Sequence, residues 1–435
     1  MLPSQKMLAV ILAILIVLSS LSYHPTLTFA STELVFIVDS TADLPDFATN
    51  SVCSAGHQTD GPCTLRAAIS EANGNLNYAQ ITILVPPGYY ALTLPPSSPD
   101  SNNDGDLDIN ATNSTNLITI KPTQKGAVVI TSTMNDRILS VGWNASVLIQ
   151  GISFVGARLA IDNIGTGGGA VLNSGKLTLE DTTFHDNSVT CAIGSTCASN
   201  VIGGAILNFN TLAIIDSSFT QNSADRGFAL FNAGGEVSCA IRNSSFSQNI
   251  GTYTGTITNY SNMSITNSTI SGNISSMTSY AGIYNGSSNS LLALRSSTLA
   301  NYGNFSSIIN EGTANVSDSI FFAQPGLNNF YSGGGTVIWN SGGYNIFSDA
   351  SWSGTLSTGD LTNTNPLLGT LGNYGGTTLT HSLPLNSPAV NHRPTTCLDI
   401  SSPLITDQRH QPRVDGRCDT GAFELGSNYL PLIIK

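Results

Sequence analysis

Apolar and polar residues alternate in short bursts along most of this chain, and the bursts recur. Aligning LTLEDTTFHDN, LAIIDSSFTQN, CAIRNSSFSQN, MSITNSTISGN and LALRSSTLANY brings Phe184, Phe219, Phe246, Ile270 and Leu299 into register, with Phe154 before them and Ile320 after. A second marker runs in phase with the first: GGAVLN, GGAILN, GFALFN, TGTITN, AGIYN and SSIIN end at Asn173, Asn208, Asn232, Asn259, Asn285 and Asn310. Two markers with a common period identify an internal repeat. Seven and five residues ahead of the first marker lie Leu177 and Leu179, Leu212 and Ile214, Cys239 and Ile241, Met263 and Ile265, Leu292 and Leu294. That period of two predicts strands with one inward face, and no helical pattern intervenes.

A unit of about 25 residues that holds short strands and no crossover helix predicts one coil of a parallel β-helix, each coil stacking on the last. A leucine-rich repeat would carry its own Leu and Asn consensus, and a propeller blade needs about 40 residues. Coils stack about 4.8 Å apart, so equivalent positions form ladders. Three residues before the marker the ladder reads Asp181, Asp216, Asn243, Asn267, Ser296, Ser317, and the Asn at the other corner stacks likewise. Amides at a turn satisfy backbone groups and bond along the stack, which is a structural reason for their recurrence. Cys239 falls on an inward position, where a thiol acts as a small hydrophobe.

One stretch breaks this texture. In CTLRAAISEANG, Leu65, Ala68, Ile69 and Ala72 form a single apolar stripe at helical spacing, with Arg66, Ser70 and Glu71 away from it. The expected role is a lid over the open first coil, whose unpaired edges and apolar interior must be covered. Arg66 and Glu71 are then expected on its outer face. Thr64 is placed to cap the helix, and Ala67 stands where a capping box has Glu, so Ala67→Glu is expected to stabilise.

Composition narrows the partners. The net charge is −12, and 15 Lys and Arg residues are spread thinly over 435 positions, which excludes a clustered phosphate-binding surface and hence nucleic acid. Lys6, the apolar run MLAVILAILIVLSSL and Ala30 before Ser31 describe a signal peptide over residues 1–30, predicting a secreted or cell-surface protein with no membrane span after cleavage. In an oxidising compartment the spacing suggests Cys53 with Cys63, Cys191 with Cys197 and Cys397 with Cys418, leaving Cys239 over. The second pair lies where both markers stretch, and would staple a loop extruded from its coil. A monomer is expected.

Two segments resemble known patterns. TADLPDFATNSVCSAGHQTDGPCTLRAAISEAN, followed by ITILVPPGYYALTL and GDLDI, resembles the N-terminal CSLREA domain of exported bacterial proteins. NPLLGTLGNYGGTTLTHSLPLNSPAV, followed by TDQRHQPRVDGRCDTGAFE, resembles the choice-of-anchor Q domain that closes many of the same proteins. The resemblance implies an all-β, right-handed parallel β-helix of the pectin-lyase-like type with a short N-terminal capping helix. It implies no shared catalytic residues. The organisation expected is a signal peptide at 1–30, a cap region at 31–115, coils at 116–350, a choice-of-anchor-Q-like region at 351–425 and a short apolar tail at 426–435.

Candidate chemistry is sparse. Glycoside hydrolysis needs two flanking carboxyl groups; Asp181 and Asp216 stand one coil apart, but Asn follows them in the ladder and no GHG turn is present. A pectate lyase needs a base beside its substrate's carboxylate; Arg242 and Arg295 share a coil position, two coils and about 10 Å apart. DSNNDGDLD offers Asp100, Asn102, Asp104, Asp106 and Asp108 as oxygen ligands for calcium, with Ala111 where a calcium loop has its bidentate Glu. A polar turn is the alternative reading of that loop. The reading reached is a scaffold for adhesion or interaction with extracellular polysaccharide or cell-envelope components, without a recognisable catalytic set. The alternatives are a lyase or hydrolase acting on pectin-like polymers, and a purely structural envelope or anchoring protein.

Overall fold

A computed structural model describes residues 33–426 apart from 57–59, 76, 98–100, 112–115, 125, 163–165, 198–200, 236, 276–280, 302–305, 335–336, 400–401 and 414–415. The expected signal peptide, the apolar tail beyond 426 and Asp100 lie outside the described residues. Three long sheets of eleven, ten and nine strands run the length of the coils, and a fourth of five strands lines part of them. In each, strands of successive coils are neighbours and pair parallel, as in Lys176–Glu180 with Thr211–Ile215 and Thr183–His185 with Ser218–Thr220. The protein is a right-handed parallel β-helix.

Period-two alternation decides what fills the interior. Leu177, Leu212, Cys239, Met263, Leu292 and Ala314 align strand to strand in the eleven-stranded sheet, all buried. Phe154, Phe184, Phe219 and Phe246 stack in the ten-stranded sheet with ring centroids 4.9, 4.7 and 4.5 Å apart. The partner of Leu299 in the next coil is Phe321, one residue beyond the Ile320 expected from hydrophobicity. The corner explains the shift. Asp181, Asp216, Asn243, Asn267, Ser296 and Asp318 all adopt φ between 44° and 52°, and the inward residue is the third after each. Asp tolerates this left-handed conformation through local hydrogen bonding, so Asp318, not Ser317, ends the ladder.

Amide and hydroxyl ladders bond the coils together at the corners. Asn173, Asn208, Asn232, Asn259, Asn285 and Asn310 are each fully buried, the first five amides each donating to the next side-chain oxygen over 2.6 to 2.8 Å. A second run, Asn187, Asn222, Asn249 and Asn273, does the same three residues after the phenylalanine marker. Ser217, Ser244, Ser268 and Ser297 accept from the backbone N–H of the preceding coil or donate within their own turn. In the long interval around Cys191 and Cys197, strand Ser188–Cys191 joins the five-stranded sheet over a small apolar cluster of Leu159, Ile161, Val189 and Val201, and the disulfide closes the exposed turn that follows, with Ile193 fully exposed. Cys191–Cys197, Cys53–Cys63 and Cys397–Cys418 are disulfides, and Cys239 is buried and free.

The helix spans Leu65–Gly74, with Thr64 accepting from the Ala67 N–H at 3.0 Å. Leu65, Ala68, Ile69 and Ala72 join the main core. Its other side is not an outer face: Arg66 and Glu71 are 1% and 0% exposed. The segments 39–56, 93–97 and 101–108 fold over it. Glu71 accepts from the N–H groups of Asn50 and Ser51 and from the Asn75 amide, and burial still pushes its pKa above the usual carboxylate value. Ala67 is fully buried as well, so a Glu there would bring a carboxylate into the cap interior, and the expected stabilisation by Ala67→Glu reverses.

The described residues between 366 and 425 run back along the solenoid. Thr378 donates to the Asn243 carbonyl, Asn267 to the Thr406 carbonyl and Thr269 to Gln408; the Ala422 N–H donates to Thr298, and Arg393 binds both oxygens of Asp318. Four successive coils from Asn243 to Asp318 are thus tied by one segment. The segment is organised internally by two buried ion pairs, Arg413 with Glu424 and Arg409 with Asp407, both 2.6 Å.

Candidate functional site

The outer surface of the nine-stranded sheet follows from the same alternation that fills its core. In strands Val171–Asn173 through Phe330–Ser332, Val171, Ile206, Leu230, Ile257, Ile283, Ile308 and Phe330 are buried within, and the asparagine ladder sits two residues on. The residues between them point away from that core: Leu172, Phe231 and Tyr284 are half-buried and Tyr331 is exposed, while Leu207, Thr258 and Ile309 are covered. Tyr260, just past the Asn259 rung, brings its ring to 5.5 Å from Phe231 and 6.1 Å from Tyr284. Gly286 makes this possible, because a Cβ there would stand 2.1 Å from the Tyr284 ring and 3.0 Å from Tyr260.

The Tyr284 hydroxyl donates to Glu311 at 2.7 Å, and burial followed by that carboxylate pushes its pKa up. Burial also raises that of Tyr260, with Arg226 opposing. Both phenols therefore remain protonated donors near neutral pH. Beside Phe231 and Tyr260 lies a hollow of about 480 Å³, edged by Gly234, Gly235, Ser261, Asn262, Ser287 and Asn289. Aromatic surface with a rim of amides and hydroxyls can stack on the C–H face of a pyranose and bond its hydroxyls. Tyr331, farther along the same line, is 59% exposed.

The residues singled out from the sequence are dispersed. Asp216 is bound to His410 at 2.7 Å and Arg242 to Asp399 at 2.5 Å, both partners coming from the C-terminal segment. Asp181 lines a different hollow of about 440 Å³ with Lys121, Gln150 and Glu180. Arg295 lies farther along the stack in a polar cavity of its own. The structure does not bring Asp181 with Asp216, or Arg242 with Arg295, into one open site.

The loop read as a calcium candidate is organised by an arginine. Arg66 donates from Nη1 to the carbonyls of Asp104 and Asp106 at 3.0 and 2.9 Å and from Nη2 to that of Gly105 at 2.7 Å, while its Nε pairs with Asp43 at 2.6 Å. The side chains go elsewhere. Asp104 accepts from Ser97, Asp106 from Ser140, and Asn102 bridges Ser70, the Arg66 carbonyl and the Asp108 N–H. Among the described residues no group of three or more His, Cys, Asp or Glu side chains could hold a metal ion. Among the described residues of this loop, the Asn102, Asp104 and Asp106 side chains are held by other partners and the cation that gathers the carbonyls is a guanidinium.

The aromatic groove was not located from the sequence, although Phe231 and Tyr284 stand inside the quoted repeats GFALFN and AGIYN, one residue before the ladder asparagine. Reading the outward residue of each repeat would have found them.

No family model matches the chain, and no curated protein matches it in sequence. Among solved structures a pectate lyase, Pel9A, is similar, at 15% identity over 91% of this chain and 97% of that one, with a TM-score of 0.43. The fold assignment rests on the parallel sheets themselves.

Proposed function

We propose that this protein is exported and displays its β-helix as a polysaccharide-binding, adhesive scaffold. The observation that carries the reading is the aromatic groove of Phe231, Tyr260 and Tyr284 on the outer surface of the nine-stranded sheet. Successive coils present rings at about the length of a pyranose unit, so a glycan lying along the helix axis meets a stacking surface at more than one residue. Planar aromatic side chains give such contacts at low entropic cost. The 1–30 segment as signal peptide and the CSLREA-like and choice-of-anchor-Q-like ends fit a surface protein of this kind. Three disulfides accord with an oxidising compartment.

Binding is favoured over cleavage because Asp216 and Arg242 are already paired by the C-terminal segment. The test is titration of the full chain with soluble polysaccharides, followed by calorimetry and by assay for new reducing or unsaturated ends. The expected result is a polymer bound without cleavage, with Phe231→Ala and Tyr260→Ala each weakening it by about fivefold or more at unchanged melting temperature. Full binding by the double variant would overturn the assignment of the groove.

A further inference from the structure

Arg242 and Arg295 occupy the same ladder position on the eleven-stranded sheet, separated by Thr266, yet they meet different surroundings. The Arg242 guanidinium is neutralised by Asp399 of the C-terminal segment. The Arg295 guanidinium has no hydrogen-bond or ion-pair partner among the described residues, and it borders a cavity of about 320 Å³. The other charges near that cavity are committed. Arg393 binds both oxygens of Asp318 at 2.8 and 3.1 Å and lies over the Tyr344 ring, and Asp360 accepts from Ser341, Ser357 and Asn345.

The remaining wall is made of amides. Asn340 donates to the Asn315 side-chain oxygen at 2.8 Å, which leaves the Asn315 amide N–H groups and the Asn340 amide oxygen for a ligand. A guanidinium presents parallel donors that match the two oxygens of a carboxylate. A donor and an acceptor beside it match ring hydroxyls, which both give and accept hydrogen bonds.

We propose that this cavity is a subsite for a carboxylate-bearing sugar unit, the carboxylate held by Arg295 and the hydroxyls by Asn315 and Asn340. The choice of a sugar as the body that carries the carboxylate rests on the polysaccharide reading above; the demand for a carboxylate rests on Arg295 alone. The subsite is separate from the aromatic groove, and the two make different demands: one needs an anion, the other a ring face. A chain with acidic units would engage both, whereas a neutral chain would engage the groove only.

The experiment is calorimetric titration of the full chain with galacturonic acid, galactose and acetate, comparing wild type with Arg295→Gln, Arg295→Lys and Asn340→Ala. Galacturonic acid is expected to bind more tightly than either galactose or acetate, and to lose about tenfold or more in Arg295→Gln, as a charge-assisted bond requires. Arg295→Lys should fall between, and Asn340→Ala should weaken galacturonic acid without affecting acetate. Because the Arg295 side chain makes no bond among the described residues, the melting temperature should not move. Equal binding of galacturonic acid and galactose, or undiminished binding by Arg295→Gln, overturns the proposal; acetate binding as tightly as the sugar acid overturns the sugar assignment. Neutral polymer binding by Arg295→Gln reports on the aromatic groove separately, so failure of one reading is told from failure of the other.

Discussion

Removing Arg66 tests the account of the N-terminal cap most directly. Its side chain is fully buried, its Nε is 2.6 Å from Asp43, and its terminal nitrogens take the carbonyls of Asp104, Gly105 and Asp106. Among the described residues, Arg66→Ala leaves the Asp43 carboxylate with the Thr93 and Leu94 N–H groups, and strips three carbonyls, two of them in buried contacts, of their donor. Breaking one side of a buried ion pair costs about 3–5 kcal/mol. The carbonyls add to this unless water fills the vacated space, at about 1–3 kcal/mol each when left bare. Arg66→Lys retains the charge near Asp43 but cannot reach three carbonyls in one plane, so about 2–3 kcal/mol is expected.

In a solenoid, stability is a sum of local terms, so the loss should be read at one end of the coil. Hydrogen exchange of the amides in 65–75 and 101–109 is the assay, with limited proteolysis as its check. Protection there should fall by two orders of magnitude or more for Arg66→Ala, a factor equivalent to about 3 kcal/mol, while the central coils stay protected. Unchanged protection in 101–109 would refute the reasoning. So would a gain of wild-type protection on adding calcium, since that would mean a metal, rather than the guanidinium, gathers the loop.

Other consequences follow from the same structure. Asn259→Ala removes a buried amide that bonds Asn285, Ser261 and Asn232, and a loss of about 2–4 kcal/mol in urea unfolding is expected; the end rung Asn173, with neighbours on one side of the ladder, should cost less. Ala67→Glu, at a fully buried position, should lower the melting temperature. The Glu424 carboxyl is raised from 4.5 to about 7 by burial, with Asp419 adding and Arg413 opposing. The folded state therefore holds a proton that the unfolded chain releases, so the stability this group contributes is full below about pH 4.5 and is lost as pH rises to about 7. Glu424→Gln should flatten stability across that window, and an unchanged slope in pH-dependent melts would exclude the assignment.

The repeat was legible because burial imposes the same alternation on every coil. Phe184, Phe219 and Phe246 announce their stack by spacing alone. Where two adjacent residues are both apolar, as at Ile320 and Phe321, hydrophobicity cannot choose the inward one, and the left-handed corner at Asp318 decides. The environment of Arg66 was illegible for a different reason. A stripe at helical spacing says which side meets the first core, but nothing about segments 39–56, 93–97 and 101–108 that close over the other side. Likewise the sequence offered Asp216 and Arg242 as candidates but could not show that His410 and Asp399, from the far C-terminal segment, would occupy them.

That late segment also determines where a ligand can bind. A β-helix offers the outer surfaces of its sheets as long faces, and a polymer lying along the axis needs several adjoining coils free at once. The hydrogen bonds made by residues 366–425 fall on the Asp and Asn corner and on Thr269, Ser271 and Thr298 of the ten-stranded sheet. Those faces are spoken for. The nine-stranded sheet keeps its outward aromatic residues clear of these contacts, and it is there that Tyr260 and Tyr284 stand over Gly286. If the segment is what keeps Asp216 and Arg242 from a ligand, then loosening it should create new binding at those corners without weakening the groove. His410→Ala with Asp399→Ala frees Asp216 and Arg242 while leaving Phe231, Tyr260 and Tyr284 untouched. The double variant should retain the wild-type affinity for neutral polymer and, with a second guanidinium exposed in the ladder, take up additional galacturonic acid in calorimetry. A loss of neutral polymer binding would show that the segment supports the groove itself, and the division of faces argued from the contacts would be wrong.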